Sequence, residues 1–340
     1  MQFLLVSMFS ISLSVLLSSV TATSMVIDTI NGQFPVDFLS TNGVTVIPGF
    51  ARLSFVTHLN PWHNVHRIVH EAHGVVFRSA DRQDSFRIGL NSDLGVIRRN
   101  ENSEPILHVA VRPRSAFARA VGDFAIEPLS NSTGRIHINP VSVNDLVYDG
   151  QIFYSPTFQD PAWLRLSGGE YLWGVNAAIQ IVHNHAVPVA EISSLPLQFQ
   201  SCIIGDPASS TTKILTLPNS TFQGIEEIVA ANGLAIVRRD VGNEQHRYIR
   251  GEVTQQVIES FPTLQYILES TDGSNFSIAT ISPNEYIVQT GDTREFELLV
   301  RRGESLDFCV ITDLVLSKLV IHFDTRNNRI GFGEPWIEIN

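Results

Sequence analysis

The sequence predicts a mainly β protein built as two β lobes with a cleft between them, and three observations carry that expectation. Short apolar segments, many rich in β-branched residues, recur between turn residues along the whole chain, as at Gly43 to Pro48, Ile106 to Val111 and Leu319 to Phe323. Helical patterns are few. Two segments, Gln33 to Pro48 and Pro207 to Pro218, each carry a strand, a short Ser/Thr-rich turn and a second apolar strand ending in Pro. A division near Ala178 then gives halves of similar length.

Taken in order, residues 1–22 read as a cleaved signal peptide: Phe3 to Val20 is apolar with interspersed Ser, and Val20-Thr21-Ala22 offers small residues for cleavage. The segment has no Lys or Arg after Met1, so contact with a membrane is expected only if it stays uncleaved. Residues 23–178 form the expected N-terminal lobe and 179–340 the C-terminal lobe. Ser142 is placed to cap a helix over Val143 to Asp149, ended by Gly150. Ser220 is placed to cap a second over Thr221 to Asn232, before Gly233, with Phe222, Ile225 and Val229 on its buried face.

Of 340 residues, 44% are hydrophobic and 17% charged, enough apolar material for packed cores. The net charge of −11 excludes a nucleic-acid partner, because phosphate neutralisation needs concentrated cations. The pairs Arg98-Arg99, Arg238-Arg239 and Arg301-Arg302 are isolated and read as solvated charges. Entry into the secretory pathway implies a secreted protein, with a lysosome or vacuole-like compartment as the alternative. It makes the sequons at Asn131, Asn219 and Asn275 glycosylation candidates. The two cysteines, Cys202 and Cys309, are open to either reading, one disulfide or two buried thiols.

The most specific motif lies at the end of the chain. Phe308-Cys309-Val310-Ile311-Thr312-Asp313-Leu314-Val315-Leu316, then Phe323-Asp324-Thr325 through Arg329-Ile330-Gly331-Phe332, resembles the closing motif of pepsin-like aspartic peptidases, I-L-G-D-x-F-L-R followed by V-F-D-x-x-N-x-R-I-G-F. Phe261 to Leu264 and Ile281 to Tyr286 resemble segments that precede it in that family. The resemblance implies the bilobal pepsin-like acid protease fold, with no cofactor.

Aligned on that frame, Gln33 to Phe38 and Val44 to Pro48 resemble the strands around the first D-T-G-S-S, whose five places hold Leu39-Ser40-Thr41-Asn42-Gly43. In the second half Ile214 to Pro218 resembles the strand after the second D-T-G-T-S, and Ser209-Ser210-Thr211-Thr212-Lys213 precede it. The aspartate places therefore fall on Leu39 and Ser209, while Ser40 and Ser210 keep a hydroxyl. The family's reaction needs two carboxylates sharing one proton, which Leu39 and Ser209 do not supply. Leu90, in Phe86 to Asn91, stands where the family has the Tyr that covers the cleft.

This reading expects a proteolytically inactive homologue that binds a peptide, a protein or an apolar ligand through Leu39, Ser40, Leu90, Ser209 and Ser210. The alternative is an active aspartic endopeptidase using Asp206, in the competing register Asp206-Pro207-Ala208-Ser209-Ser210. Pro207 counts against it, since proline removes both a bracing hydroxyl and an N–H donor. Asp37 is expected to point away from the cleft by alternation with Phe38. His63, His66, His70 and His73 have helical spacing suited to a metal, but apolar residues interrupt them, no carboxylate or Cys completes a ligand set, and no metal is expected. Oligomeric state is not encoded in any of these features.

Overall fold

A computed structural model describes residues 24–40, 46–55, 72–90, 94–99, 104–130, 132–138, 141–158, 172–182, 199–205, 214–241, 244–290, 295–302 and 308–336. Among them, no helix is long and apolar enough to cross a membrane. The first half runs β1 (Met25–Ile30), β2 (Phe34–Ser40), β3 (Val46–Ser54), β4 (Ala72–Arg78), β5 (Ser85–Gly89), β6 (Gly95–Arg99), β7 (Pro105–Ala110), α1 (Ala116–Val121), β8 (Phe124–Pro128) and β9 (Thr133–Ile138). The second half opens with β10 (Tyr148–Pro156), β11 (Gly174–Val182), β12 (Gln200–Ile204), β13 (Leu215–Leu217), α2 (Asn219–Ala231), β14 (Ala235–Val241), β15 (Glu244–Arg250) and α3 (Gln255–Glu259). It continues with β16 (Thr263–Glu269), β17 (Asn275–Ile281), α4 (Pro283–Tyr286), β18 (Ile287–Gln289), β19 (Phe296–Leu298), β20 (Val300–Arg302), β21 (Phe308–Ile311), α5 (Asp313–Leu316), β22 (Val320–Asp324) and β23 (Arg329–Pro335). The protein is mainly β.

The strand orders reveal a duplication. One sheet reads β5-β4-β2-β3-β7-β6 and another β17-β16-β11-β12-β21-β13-β20. In each, a central antiparallel pair, β2 with β3 or β11 with β12, is flanked by an antiparallel strand on one side and a parallel strand on the other. The third sheet, β1-β9-β8-β22-β23-β10, joins the halves. Its two hairpins, β8–β9 and β22–β23, meet at the centre, with Phe124 opposite Phe323. The repeat therefore runs over 25–138 and 148–335, with the connection at 139–147. Ala178, where similar lengths suggested a division, lies inside β11 paired to Ile267. Length misplaces the division because the second half carries the extra sheet β14-β15-β19-β18 and helix α2.

Aromatic packing fills the join. Phe323 is fully buried and stacks on Phe124 (centroids 4.5 Å) and Phe55 (5.2 Å), with Trp173 tilted against it at 5.2 Å. Phe55 and Phe124 belong to the first half and Trp173 and Phe323 to the second, so one apolar cluster holds both together.

Helix α2 starts at Asn219 after Pro218, which offers no side-chain cap, and Ser220 sits inside it instead of capping it. Its buried residues Phe222, Ile225 and Val229 are those the periodicity selects. Gly233 (φ 69°) follows it in the left-handed conformation that suits glycine. Ser142 does cap, accepting from the Asn144 amide, but only a short 3-10 turn over Val143–Asp145, since the chain enters β10 at Tyr148. Three residues of turn replace the longer helix expected there.

Candidate functional site

Corresponding strands of the repeat end close together. The carbonyl of Ser54, at the end of β3, accepts from the Val111 amide (3.0 Å), and the Val111 carbonyl accepts from the indole N–H of Trp173. The Trp173 carbonyl accepts from the Ile204 amide at the end of β12 (2.9 Å), and the Gly205 amide donates to Ile311 at the end of β21 (2.7 Å). This continuous hydrogen-bonded bridge ties the end of β3 to the end of β12. Buried backbone groups at such a junction must be paired, and here each half supplies partners for the other. The chain leaves both strands from this bridge, at Phe55 and at Gly205.

Gly205 is there for a steric reason. A Cβ at that position would lie 2.8 Å from Val310 Cγ1 and 3.0 Å from the Ile311 carbonyl oxygen. Only glycine lets β12 approach β21 this closely before Asp206. Cys202 and Cys309 are a register pair on the same two strands, Cα atoms 4.4 Å apart, and their sulfurs are bonded. The bond staples the strand that leads to Asp206 onto the strand that opens the closing motif.

The first-half register changes on this geometry. By strand equivalence β3 corresponds to β12, whereas Leu39 is on β2, the counterpart of β11. Leu39 pairs with Val46 at the start of β3, and from there to Ser54 the strand runs roughly 25 Å at ordinary β rise. The chain that corresponds to Gly205-Asp206 is the one leaving β3 at Phe55-Val56. Motif alignment missed this because β2 and β3 both carry alternating apolar residues, and either passes for the strand before a D-T-G. The signal available was the parallel partner: β3 with β7 and β12 with β21 are followed by similar short helices, α1 and α5.

Leu39, Ser40 and Leu90 are nevertheless neighbours. Leu39 pairs with Gly74, Gly74 pairs with Gly89, and the Leu90 amide donates to the His73 carbonyl (2.9 Å). All three are half-buried at the sheet end away from the bridge. Asp37 shares the face of Leu39, opposite Phe38, so alternation does not turn it aside. Its carboxylate instead accepts from Arg78 Nε at 2.7 Å. Asp206, Ser209 and Ser210 lie outside the described residues, as do Asn131, His63, His66 and His70. Among the described residues no group of three or more His, Cys, Asp or Glu is placed to hold a metal. Asn219 is exposed at the start of α2, where its side-chain oxygen accepts from Arg302 Nε (2.7 Å), and Asn275 opens β17 opposite Glu269.

The outer face of the joining sheet holds ionisable groups that no sequence motif announced. Glu127 and His137 are both buried and 2.5 Å apart, Oε2 to Nε2. The Tyr154 hydroxyl lies 2.8 Å from His322 Nδ1 across Gly331, where a Cβ would come within 2.7 Å of the Tyr154 ring. Burial pushes the Tyr154 phenol up to about 12 and holds the His322 imidazole below its ordinary 6.5. These groups brace the join and lie behind it.

By sequence, no family model and no curated protein matches this chain. Solved structures do match; among them is an aspartic proteinase from Irpex lacteus, 14% identical, covering 93% of this chain and 98% of that one, with a TM-score of 0.49. A likeness at that level carries no functional weight, and any functional reading of this chain rests on its own duplication and motifs.

Proposed function

We propose that this chain is a pepsin-like aspartic peptidase homologue without proteolytic activity, secreted as a binding protein that receives a peptide, protein or apolar ligand between its halves. One observation carries the reading: from Phe38 through His70 the sequence contains no Asp or Glu. That stretch includes Leu39 and also the chain leaving β3, so neither register provides a first-half carboxylate. Around the second loop, Asp206 is the single acidic residue between Gln200 and Lys213.

Peptide hydrolysis in this family needs one carboxylate as base toward water and a second, protonated, as acid toward the carbonyl oxygen. One carboxylate alone does not share a proton with anything, and its pKa is not split in two. The position of Asp206 directly after Gly205, at the end of β12, favours it as the surviving member of the pair. That same position supports the second reading, an active endopeptidase that recruits a carboxylate from elsewhere. Purified secreted protein incubated with denatured protein substrate between pH 3 and 6, with and without pepstatin, separates the two. The first reading expects no pepstatin-sensitive cleavage; cleavage that disappears in Asp206→Asn establishes the second.

A further inference from the structure

The hairpin of β1 and β2 is closed at its turn and open above it. Asn31 (φ 51°) and Gly32 (φ 69°) form a two-residue turn, and Ile30 and Gln33 exchange backbone hydrogen bonds of 2.8 and 2.9 Å. In an antiparallel ladder the next pair to exchange such bonds lies two residues further along each strand, here Asp28 with Pro35. Pro35 has no N–H, so the ladder stops there. β1 departs to pair with β9 while β2 pairs with β3 and β4, and a cavity of about 270 Å³ opens at the junction.

The cavity has a defined edge. Its far end is closed by the turn after β4, where the Ala80 amide donates to the Val26 carbonyl (3.0 Å). Val26 and Ile30 thus direct their backbone groups to this side of β1, and strand alternation directs the amide and carbonyl of Asp28 there too. Ile27 and Val36 form an apolar floor. On the rim, Asp37 is neutralised by Arg78 at 2.7 Å and Asp28 lies 3.5 Å from Arg135. Arg82, exposed in the turn at φ 59°, has no ion pair among the described residues, and the neighbouring Asp81 carboxylate is held by the Ser79 hydroxyl and the Gln83 amide, so the Arg82 guanidinium is the rim cation left for an anionic ligand.

We propose that this three-strand junction binds the carboxyl-terminal end of an extended peptide. The last amide of the peptide pairs with the backbone of Asp28 as a short added strand, and its terminal carboxylate meets Arg82. The size fits an end: a cavity of 270 Å³ is smaller than a site for a drug-sized ligand and takes only the tip of a chain. The site is separate from the bridge at the ends of β3 and β12, and proteolysis assays do not bear on it.

The test monitors the Asp28 amide by NMR in 15N-labelled protein during titration with N-acetyl-alanyl-alanine, as the free acid and as the carboxamide. The acid is expected to shift the Asp28 amide, and the carboxamide to bind roughly ten-fold more weakly, because a charge-assisted bond is lost. Arg82→Gln, exposed and unpaired, should bring the acid down to the affinity of the carboxamide. No shift at Asp28 with the acid, equal affinity for both probes, or an unchanged titration in Arg82→Gln would each overturn the proposal.

Discussion

Truncating Phe323 to alanine removes the ring at the centre of the join between the halves. Phe323 is fully buried and touches three other rings, those of Phe124, Phe55 and Trp173. Loss of a buried Phe side chain costs about 3–5 kcal/mol, the upper part of that range applying where the surroundings do not collapse into the gap. Here Phe124 sits on β8, paired on both sides by β9 and β22, while Phe55 directly follows β3 and Trp173 directly precedes β11, where the indole N–H is held by the Val111 carbonyl. A value of about 4 kcal/mol results, a large fraction of the roughly 5–15 kcal/mol stability of an ordinary domain. Urea unfolding read by tryptophan fluorescence checks it: with a slope of about 3 kcal/mol/M the midpoint should fall by roughly 1.3 M. Backbone circular dichroism should lose both halves in the same transition, since the cluster belongs to both. A shift below about 0.3 M, or one half unfolding while the other is untouched, would refute the claim that this cluster couples them.

The same geometry sets three further outcomes. Gly331→Ala places a methyl 2.6 Å from Ile152 Cγ2 and 2.7 Å from the Tyr154 ring, so it should cost about 1–3 kcal/mol in urea unfolding and displace Tyr154 from His322. Reduction of the Cys202–Cys309 bond, which closes a span of 107 residues, should lower thermal stability by about 2–4 kcal/mol and expose two titratable thiols to a thiol reagent. For His322, burial lowers the folded pKa below 6.5, so above that pH the group contributes no pH dependence, and as pH falls below it the unfolded chain takes up a proton that the folded chain resists. Stability should therefore decline below pH 6.5 by at most about 1.4 kcal/mol per pH unit from this group, and His322→Gln should flatten that limb in unfolding curves at pH 7, 6 and 5. Asp324 does not contaminate the window: burial would raise its pKa, but hydrogen bonds from Asn327 and Arg329 outweigh that and hold it below 3.8, so its loss comes only at stronger acidity.

Much of this architecture is legible in the sequence. The closing segment is specific because spacing, not composition, carries it: Asp324, Asn327 and Arg329 close one turn by hydrogen bonds from Asn327 Nδ2 (2.8 Å) and Arg329 Nε (2.7 Å) to one carboxylate oxygen, and each residue must stand where it does. Helix α2 is legible from three apolar residues on one face. The first-half site is not, because alternation identifies a strand without naming its partner, and β2 and β3 alternate alike. Pairing partners are non-local, and the parallel contact of β3 with β7 joins residues more than fifty apart. The division between halves is hidden for a related reason, since extra strands around α2 lengthen the second half without altering its core order. The bridge through Val111 and Trp173 is likewise invisible, being made mainly of backbone groups that every residue possesses.

The proposed absence of an acid pair is tested most directly by an experimental structure of the protein at acid pH that includes the segments following β3 and β12. The account predicts Asp206 near the bridge with no second carboxylate within hydrogen-bond reach, about 3.2 Å, of its oxygens. A second Asp or Glu side chain facing Asp206 at that distance would contradict it and favour the active-endopeptidase reading.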